Sequence, residues 1–587
     1  MLNLFKKYFK PYIFLIILSL LFQIVQTLFT LYLPNLNAQI IDKGIVNGDI
    51  LYIQNQGFFM MVLVFLQVSF SIVNSYLSTN VSLSIARNIR KDLYYKIQNF
   101  SSADINHFGV ATLITRVTND IQHVSTVLAF LFSVIINIPI IIVGSVIMAI
   151  ENSLSLSMIL FVVFSLIIPL IMIFTKKLKP LFELFQKQFD KVNMILRDQI
   201  TGIQVVKSFV KEISEYERFK KANKELYGLN IRMGKLMSFF FPSFFLLPNF
   251  LILVTVWYGG ILVNMGELEI GAITAFITYL IYITIALSMF AMILGFIPQA
   301  EVSARRILEV LNTETSITSP PKPIHIKNPQ GNIKFKDVDF TYSNNSNNNS
   351  NNNTGFVLKN INFIAKSSEV TGIIGNTASG KSTLLQLIPR FYDVTNGMVS
   401  FDDINVKNLN IDELNSYINF IPQKSFLFSG TIAENLRLGK NDATEDELWE
   451  VLEIVQIADF IKGLDKEIHS KVSQRGVNLS GGQQQRLTIA RAILSKPKVI
   501  IFDDSFSALD YSTDLKLRKA LTKFIKNSTI IIVSQRISTI RDADNILVMD
   551  DGEIISQGKH TDLMKNCKIY ESIVSSQLDF KNSMEGS

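Results

Sequence analysis

The sequence predicts an α-helical membrane domain with six transmembrane helices, followed by a soluble α/β domain, and three observations carry that prediction. The chain of 587 residues is 48% hydrophobic with 44 Phe but only 18% charged, against about 25% in soluble proteins. Its first 300 residues hold six apolar runs without a single charge, at 13–33, 57–78, 126–150, 153–174, 236–263 and 271–299. Beyond Pro320, Pro321 and Pro323 the composition turns polar, and short β-type runs alternate with helical segments. A chain of this length also exceeds the roughly 250–300 residues that one hydrophobic core supports.

Each apolar run is long enough to cross a bilayer, because about 20 helical residues span a hydrocarbon core of about 30 Å. A charge at the centre of such a helix costs about 2.5–3.5 kcal/mol even on lenient scales, so six charge-free runs read as spans rather than core helices. Lys and Arg gather on the cytoplasmic side of membrane helices. Here Lys6, Lys7 and Lys10, then Arg87, Arg90, Lys91 and Lys96, then Lys176, Lys177 and Lys179 mark the cytoplasmic ends. The connections after the third and fifth runs carry Glu151, Glu267 and Glu269 with no Lys or Arg, and the one after the first has Lys43 against two aspartates. These face outward. The N-terminus runs into the first apolar segment with no small-residue cleavage site and no arginine-rich transit pattern, and is expected to be retained.

The two long cytoplasmic connections read as helix continuations with mixed charge, the second from Leu181 to Tyr227, projecting below the membrane. The membrane domain is assigned to residues 1–310, a linker to 311–330 and the soluble domain to 331–587, with the asparagine-rich tract at 344–353 a surface insertion. The net charge of +7 belongs to the cytoplasmic and juxtamembrane segments, so it does not argue for nucleic acid. Cys567 is the one cysteine, which excludes an internal disulfide and a cysteine metal site and suits a reducing compartment.

In the second domain the strand-like Glu369-Val-Thr-Gly-Ile-Ile-Gly375 runs into Asn376, Thr377, Ala378, Ser379, Gly380, Lys381, Ser382 and Thr383. That is a phosphate loop in its strand-to-helix context: glycines let backbone N–H groups wrap phosphates, Lys381 reaches the outer ones and Ser382 offers a hydroxyl to Mg2+. A later strand, Lys498-Val-Ile-Ile-Phe-Asp503, ends in a carboxylate placed to hold Mg2+ at the edge of a parallel sheet. The second domain is therefore an α/β P-loop nucleotide-binding domain with ATP and Mg2+ as cofactors.

Between these two lies Leu479-Ser480-Gly481-Gly482-Gln483, opening the helical run Gln484-Gln-Arg-Leu-Thr-Ile-Ala-Arg-Ala-Ile-Leu494. With this motif the chain resembles the ATP-binding cassette (ABC) transporters, of the exporter type in which membrane and nucleotide domains share one polypeptide. The resemblance extends over nearly the whole chain, including weaker patterns at Leu113–Asp120, Gly202–Lys207 and Gly266–Tyr279. It implies that Tyr342 stacks on adenine and that Gln423 senses Mg2+ and the membrane domain. Asp510, in Ser507-Ala-Leu-Asp510, then lies in the loop that contacts a partner domain. It also implies that Ser480, Gly481, Gly482 and Gln483 close over nucleotide held by a second half-transporter chain.

Two positions depart from the family pattern. Asp504 stands where the resemblance implies a glutamate base, one methylene longer, and general-base contributions run to about 10²–10⁴-fold. Gln535 stands in place of a histidine at the γ-phosphate, and a glutamine carries no positive charge. Ser473-Gln474-Arg475-Gly476, before the signature, also differs from the usual Gly-Glu-Arg-Gly. Together these point to the slow-site subunit of an asymmetric heterodimer; a homodimer that tolerates both changes is the alternative.

The span interiors hold Gln23, Gln26, Gln67, Asn74 and Asn137 with Phe239, Phe240, Phe244, Met289 and Phe290, which fit either an apolar or amphiphilic cargo or packing against lipid and neighbouring helices. Multidrug or lipid-like export by alternating access follows, at a bacterial plasma (inner) membrane with the N-terminus and nucleotide domain cytoplasmic. A homodimeric lipid flippase, an exporter-fold importer and an ATP-gated channel share the same features. A soluble ATPase of DNA repair does not have the six spans. His469, Trp257 and Cys567 are read as packing or surface residues.

Overall fold

The computed structural model describes residues 7–293, 296–342, 355–524 and 527–585. The asparagine-rich tract expected at 344–353 lies outside the described residues. The chain divides into two compact units: Met1–Gln98 with Ala111–Thr313, and Asn99–Val110 with Glu314–Ser587.

Among the described residues the first unit holds six helices long and apolar enough to cross a membrane: Lys7–Ile45, Ile50–Gln98, Val110–Asn152, Leu154–Thr201, Glu212–Asn264 and Ile270–Asn312. All six outrun the apolar segment inside them, at 39 to 53 residues each, where about 20 suffice to cross. The second long connection, expected to continue the helices over Leu181–Tyr227, is helical on both sides of one reversal. The fourth helix stops at Thr201, a short turn of helix covers Ile203–Ser208, and the fifth begins at Glu212. The break has a physical cause: the fourth and fifth helices run antiparallel side by side, so the chain must reverse. Val210 takes a left-handed φ of 52° in the reversal. Above it the pair is held by Gln199 Nε2 to the Glu215 carbonyl at 2.9 Å, Gln188 Nε2 to the Ala222 carbonyl at 2.9 Å and the Lys191–Glu225 ion pair at 3.1 Å.

Polar side chains inside the spans pair with one another across helices. Ser19 Oγ donates to Asn74 Oδ1 at 2.7 Å and meets Ser78 Oγ at 3.0 Å, and Asn74 Nδ2 donates to Gln23 Oε1. Thr27 Oγ1 bonds Asn137 at 2.5 Å, and Gln67 Nε2 bonds Thr30 at 2.9 Å. In hydrocarbon no water can satisfy these groups, so joining the first three helices through them meets a need that lipid leaves open. Of the aromatic set, Phe240 and Phe244 are buried and Phe239 is 71% exposed.

The sixth span is fixed against the first by contacts that leave no slack. The Gly271 N–H donates to Asp42 Oδ1 at 2.6 Å, placing a carboxylate at the N-terminal end of the helix Ile270–Ile293, where the helix dipole favours it. One face further down, the buried Tyr279 hydroxyl donates to the Leu31 carbonyl at 3.1 Å. Toward the other end, Arg116 pairs with Glu309 at 2.9 Å and donates to the Arg306 carbonyl at 2.8 Å, while Ser303 bonds Asp120 at 2.7 Å. Arg116 and Asp120 are both nearly buried, at 7% and 3% exposure.

Among the described residues the second unit has twelve strands: β1 Ile333–Phe340, β2 Leu358–Ala365, β3 Val370–Gly375, β4 Asn396–Phe401, β5 Ile404–Asn405, β6 Ile418–Ile421, β7 Gly430–Thr431, β8 Lys471–Val472, β9 Val499–Asp503, β10 Thr529–Val533, β11 Asn545–Asp550 and β12 Glu553–Gly558. An antiparallel sheet has the order β2-β1-β4-β5, and a larger one runs β12-β11-β3-β10-β9-β6. In the larger sheet every pairing is parallel except β11 with β12. Every residue of β9 and β10 is buried, which is why they read as unbroken apolar runs. The segment Asn99–Val110 belongs to this unit through the short helix Ser102–Phe108, capped reciprocally by Ser101 and Asp104. Asp104 also accepts the Ser316 N–H at 3.2 Å, and Asn106 Nδ2 donates to the Tyr392 hydroxyl at 3.0 Å.

A Cβ at Gly271 would lie 2.3 Å from the Ala38 carbonyl oxygen, which is backbone and has nowhere to go. Gly271→Ala is expected to cost about 1–3 kcal/mol of stability, the usual toll of overpacking. Thermal unfolding of the purified chain checks this against Gly260→Ala, where no atom lies within 4 Å and no loss is expected.

Candidate nucleotide-binding site

Strand register sets the site. Ile373, Val533 and Asp503 lie in one row across β3, β10 and β9, and Ile421 of β6 pairs with Phe502. The residues just past that row therefore emerge together at the carboxyl edge of the sheet, where open α/β folds bind ligands. They are Gly375 and the phosphate loop after β3, Asp503 and Asp504 at the end of β9, Gln535 after β10 and Gln423 after β6.

The loop Gly375–Ser382 opens the helix Lys381–Leu387. Ala378 and Gly380 have left-handed φ values of 66° and 91°, and alternation of left- and right-handed residues turns successive N–H groups toward a common centre. At Gly380 a side chain would also meet Leu358 Cδ2 at 2.7 Å, so the position needs glycine twice over. The Lys381 ammonium lies across the mouth of the loop, donating to the Gly375 carbonyl at 3.0 Å and the Ser379 hydroxyl at 3.2 Å. Burial holds its pKa below the ordinary lysine value, with Asp504 and Asp503 opposing that shift.

Ser382 Oγ donates to Asp503 Oδ1 at 3.0 Å. A hydroxyl beside one carboxylate suits Mg2+, which takes few protein ligands and leaves the remainder to phosphate and water. Among the described residues no cluster of three or more His, Cys, Asp or Glu forms a metal cage. Burial raises the Asp503 carboxyl above its ordinary value, and the neighbouring Asp504 charge pushes the same way against the Ser382 hydrogen bond. Asp504 is raised as well, chiefly by burial, with hydrogen bonds from the Gln535 backbone and the Gln423 amide working against it. Gln423 Nε2 reaches Asp504 Oδ2 at 3.5 Å. Asp504 itself sits at a left-handed φ of 48°, its N–H tied to the Val533 carbonyl at 3.0 Å.

Tyr342 stands at the side of the loop, half exposed, its hydroxyl 2.9 Å from Thr383 Oγ1. Its ring is perpendicular to that of Tyr392, with centroids 5.1 Å apart. The signature residues form a separate feature. Ser480 caps the helix Gly481–Leu494, accepting the Gln483 N–H, while Gln483 Oε1 accepts the Ser480 N–H at 2.8 Å. Ser480 and Gly481 are exposed, and no described contact joins Ser480–Gln483 to the phosphate loop. Asp510 is likewise occupied locally, accepting from Ser512 Oγ at 2.7 Å and the Thr513 N–H at 2.9 Å, bonds that hold its carboxyl well below the usual range.

Known proteins align with this arrangement along the chain. The family profile "ABC transporter transmembrane region" matches residues 16–287, and "ABC transporter" matches residues 358–507. An uncharacterized ABC transporter ATP-binding protein of Mycobacterium tuberculosis is 36% identical over 581 residues, covering 98% of each chain. The chain belongs to the ABC transporters. It is an exporter-type half-transporter, with its membrane domain fused to its ATP-binding domain. The uncharacterized ABC transporter YfiB of Bacillus subtilis is 34% identical over 576 residues, covering 98% of each chain. A putative export ATP-binding/permease protein of Rickettsia typhi is 30% identical over 577 residues, covering 97% of each. The solved structure of a bacterial Atm1-family ABC exporter with ATP bound shares the fold, with a TM-score of 0.80 at 23% identity over 96% of this chain and 99% of that one.

Three residues of this ABC transporter's site escape the sequence. Arg536 donates to the carbonyls of Ser507 at 3.0 Å and Leu509 at 3.2 Å, clamping the loop that ends in Asp510. Gln577, on the C-terminal helix, donates to the Gln535 carbonyl at 2.7 Å and accepts the Ile537 N–H at 2.9 Å. Tyr392 backs Tyr342. An arginine next to Gln535 was a readable signal for the first; a lone glutamine on an amphipathic helix gives none.

A carboxyl whose pKa is raised in the folded state adds stability at acid pH, and that contribution is lost as pH rises through the folded value. Ionised Asp503 therefore weakens the fold at neutral pH. Asp503→Asn is expected to raise the melting temperature of the nucleotide-free transporter at neutral pH and leave it nearly unchanged near pH 4. Melting curves at the two pH values, with nucleotide and Mg2+ omitted, check the difference.

Proposed function

We propose that this chain is the slow-site subunit of a heterodimeric exporter that moves hydrophobic or amphiphilic cargo out across the plasma membrane. ATP binding draws two nucleotide-binding domains together, and hydrolysis resets the membrane domains from outward-facing to inward-facing. The observation that carries this reading is Asp504. It stands at the end of β9, beside Asp503 and within reach of Gln423, where the reaction needs a base on the attacking water. Its carboxyl is one methylene short of a glutamate. Burial also favours its protonated form, and a general base must be deprotonated to act.

In this scheme the N–H groups of Gly375 through Thr383 hold the phosphates, Lys381 neutralises the outer ones, and Tyr342 stacks on adenine. Ser382 and Asp503 hold Mg2+, with Gln423 completing its surroundings. Gln535 offers an uncharged hydrogen bond to the γ-phosphate. The exposed Ser480 and Gly481, with the half-buried Gly482 and Gln483, serve the partner chain's nucleotide, and Asp510 lies in the contacting loop. Movement passes to the spans through the segments Phe108–Asp120 and Lys187–Val210. The gathering of Lys and Arg at one set of helix ends supports a cytoplasmic position for both nucleotide domains, and the export named for the Rickettsia typhi relative supports the direction.

ATP turnover by the chain purified alone, compared with the chain co-purified with a neighbouring half-transporter, is the deciding measurement. Little turnover alone and strong turnover together is the expected result, and robust turnover alone would establish a homodimer instead. Asp504→Glu is expected to raise turnover of the chain alone by about 10- to 100-fold, part of the usual general-base range. Lys381→Ala is expected to weaken ATP binding at this site and lower the remaining turnover by about 10²–10³-fold, as for loss of one preorganised donor. Radiolabelled nucleotide binding and phosphate release measure the two effects.

A further inference from the structure

The first unit contains a partly open cavity of about 780 Å³, lined by the third, fourth and sixth spans. That volume is in the range of sites for drug-sized ligands, about 300–1,000 Å³. Its lining is apolar almost throughout, with Ile142, Ile171, Met172, Leu287 and Phe290 on its walls, and Thr175, Lys176 and Lys179 border it through the carbon atoms of their side chains, which leaves the two ammonium groups at its edge.

Helical periodicity explains the division. Residues 168, 171, 172, 175, 176 and 179 fall on one face of the fourth helix, and along that face the chemistry changes from aliphatic to hydroxyl to ammonium. At 1.5 Å rise per residue the stripe is about 16 Å long, half the thickness of a hydrocarbon core. The lysines sit at its cytoplasmic end, both exposed. Among the described residues neither forms an ion pair. The Thr175 hydroxyl is already spent on the Ile171 carbonyl at 2.8 Å, so the charged pair is what remains to meet a headgroup. Lys177 carries the same charge at the same depth but lies off the stripe and does not line the cavity.

We propose that this cavity receives an anionic amphiphile from the cytoplasmic leaflet, its apolar body along the spans and its headgroup on Lys176 and Lys179. The proposal deepens the export reading, on which it rests, by naming the charge of the cargo. A cationic amphiphile would meet two like charges at the cavity's rim, and a zwitterionic one would gain from the lysines only by exposing its own cation to them. Lysines at the cytoplasmic end of a span also serve to orient it, but that role falls on Lys177 equally.

The test uses the full-length chain in detergent without nucleotide, offered phosphatidylglycerol and phosphatidylcholine of identical acyl chains, with bound lipid counted by native mass spectrometry. Retention of phosphatidylglycerol over phosphatidylcholine is expected. Each lysine should contribute roughly fivefold, so Lys176→Gln with Lys179→Gln should lower that preference by up to about thirtyfold. Lys177→Gln should leave it unchanged, and Lys176→Arg with Lys179→Arg should keep it, which separates loss of charge from loss of fold. Met172→Trp, which fills the apolar body, should reduce both lipids together.

Equal retention of the two lipids, or an equal effect of Lys177→Gln, overturns the proposal while leaving export itself untouched. In the co-purified transporter, phosphatidylglycerol should stimulate ATP turnover more than phosphatidylcholine does. Binding without that stimulation overturns the assignment of the amphiphile as cargo. Failure of the export reading would appear differently, as absent turnover with headgroup preference intact.

Discussion

Parallel pairing forces neighbouring strands to end on the same side of a sheet, and the chemistry of the second unit depends on that constraint. β3, β10, β9 and β6 are parallel and in register, so a glycine loop, two carboxylates and two glutamines far apart in sequence emerge within one neighbourhood. The burial that makes these strands a stable core also sets the electrostatics at their ends. Asp503 and Asp504 leave the sheet from β9, every residue of which is buried, and their charged forms are penalised in consequence. A site that waits for a divalent cation and a polyanion gains from this, because the cation restores what burial takes away.

The membrane unit solves a different problem with different means. Apolar surface gives no net pull between helices in lipid, so contacts must come from close packing and hydrogen bonds. The Ser19–Asn74–Gln23 cluster, the Tyr279 bond to the Leu31 carbonyl and the meeting of Gly271 with Asp42 supply these between the first span and its neighbours. The long helical extensions, once outside hydrocarbon, return to the chemistry of soluble proteins: ion pairs such as Lys191–Glu225, and a buried Arg116 answered by Glu309.

Much of this was legible in the sequence, for reasons that can be stated residue by residue. Six spans were readable because hydrocarbon excludes charge, and a run such as 153–174 has none. The phosphate loop was readable because its geometry admits few residues, glycine at 380 above all. The fate of the polar residues within the spans was not: composition alone does not say whether Gln23 faces a cargo or Asn74, and only the helix packing decides. The reversal at 202–211 was hidden by residues that suit a helix, because the antiparallel neighbour, not local preference, breaks it. Gln577 was invisible for a similar reason, since its meaning comes from a strand end some forty positions earlier.

The segment Asn99–Val110 lies between the second and third spans in sequence, yet folds with the C-terminal unit. The ATP-binding unit is thus discontinuous, interrupted by most of the membrane domain. A C-terminal fragment cut at the apparent linker would leave the Ser316 N–H without the Asp104 carboxylate and the Tyr392 hydroxyl without Asn106. Tyr392 in turn backs the ring of Tyr342, so the excised piece would lack a support of the site it was made to isolate. Truncation and domain grafting in this chain therefore call for carrying the 99–110 helix along, rejoined as a separate insertion, rather than for a single cut.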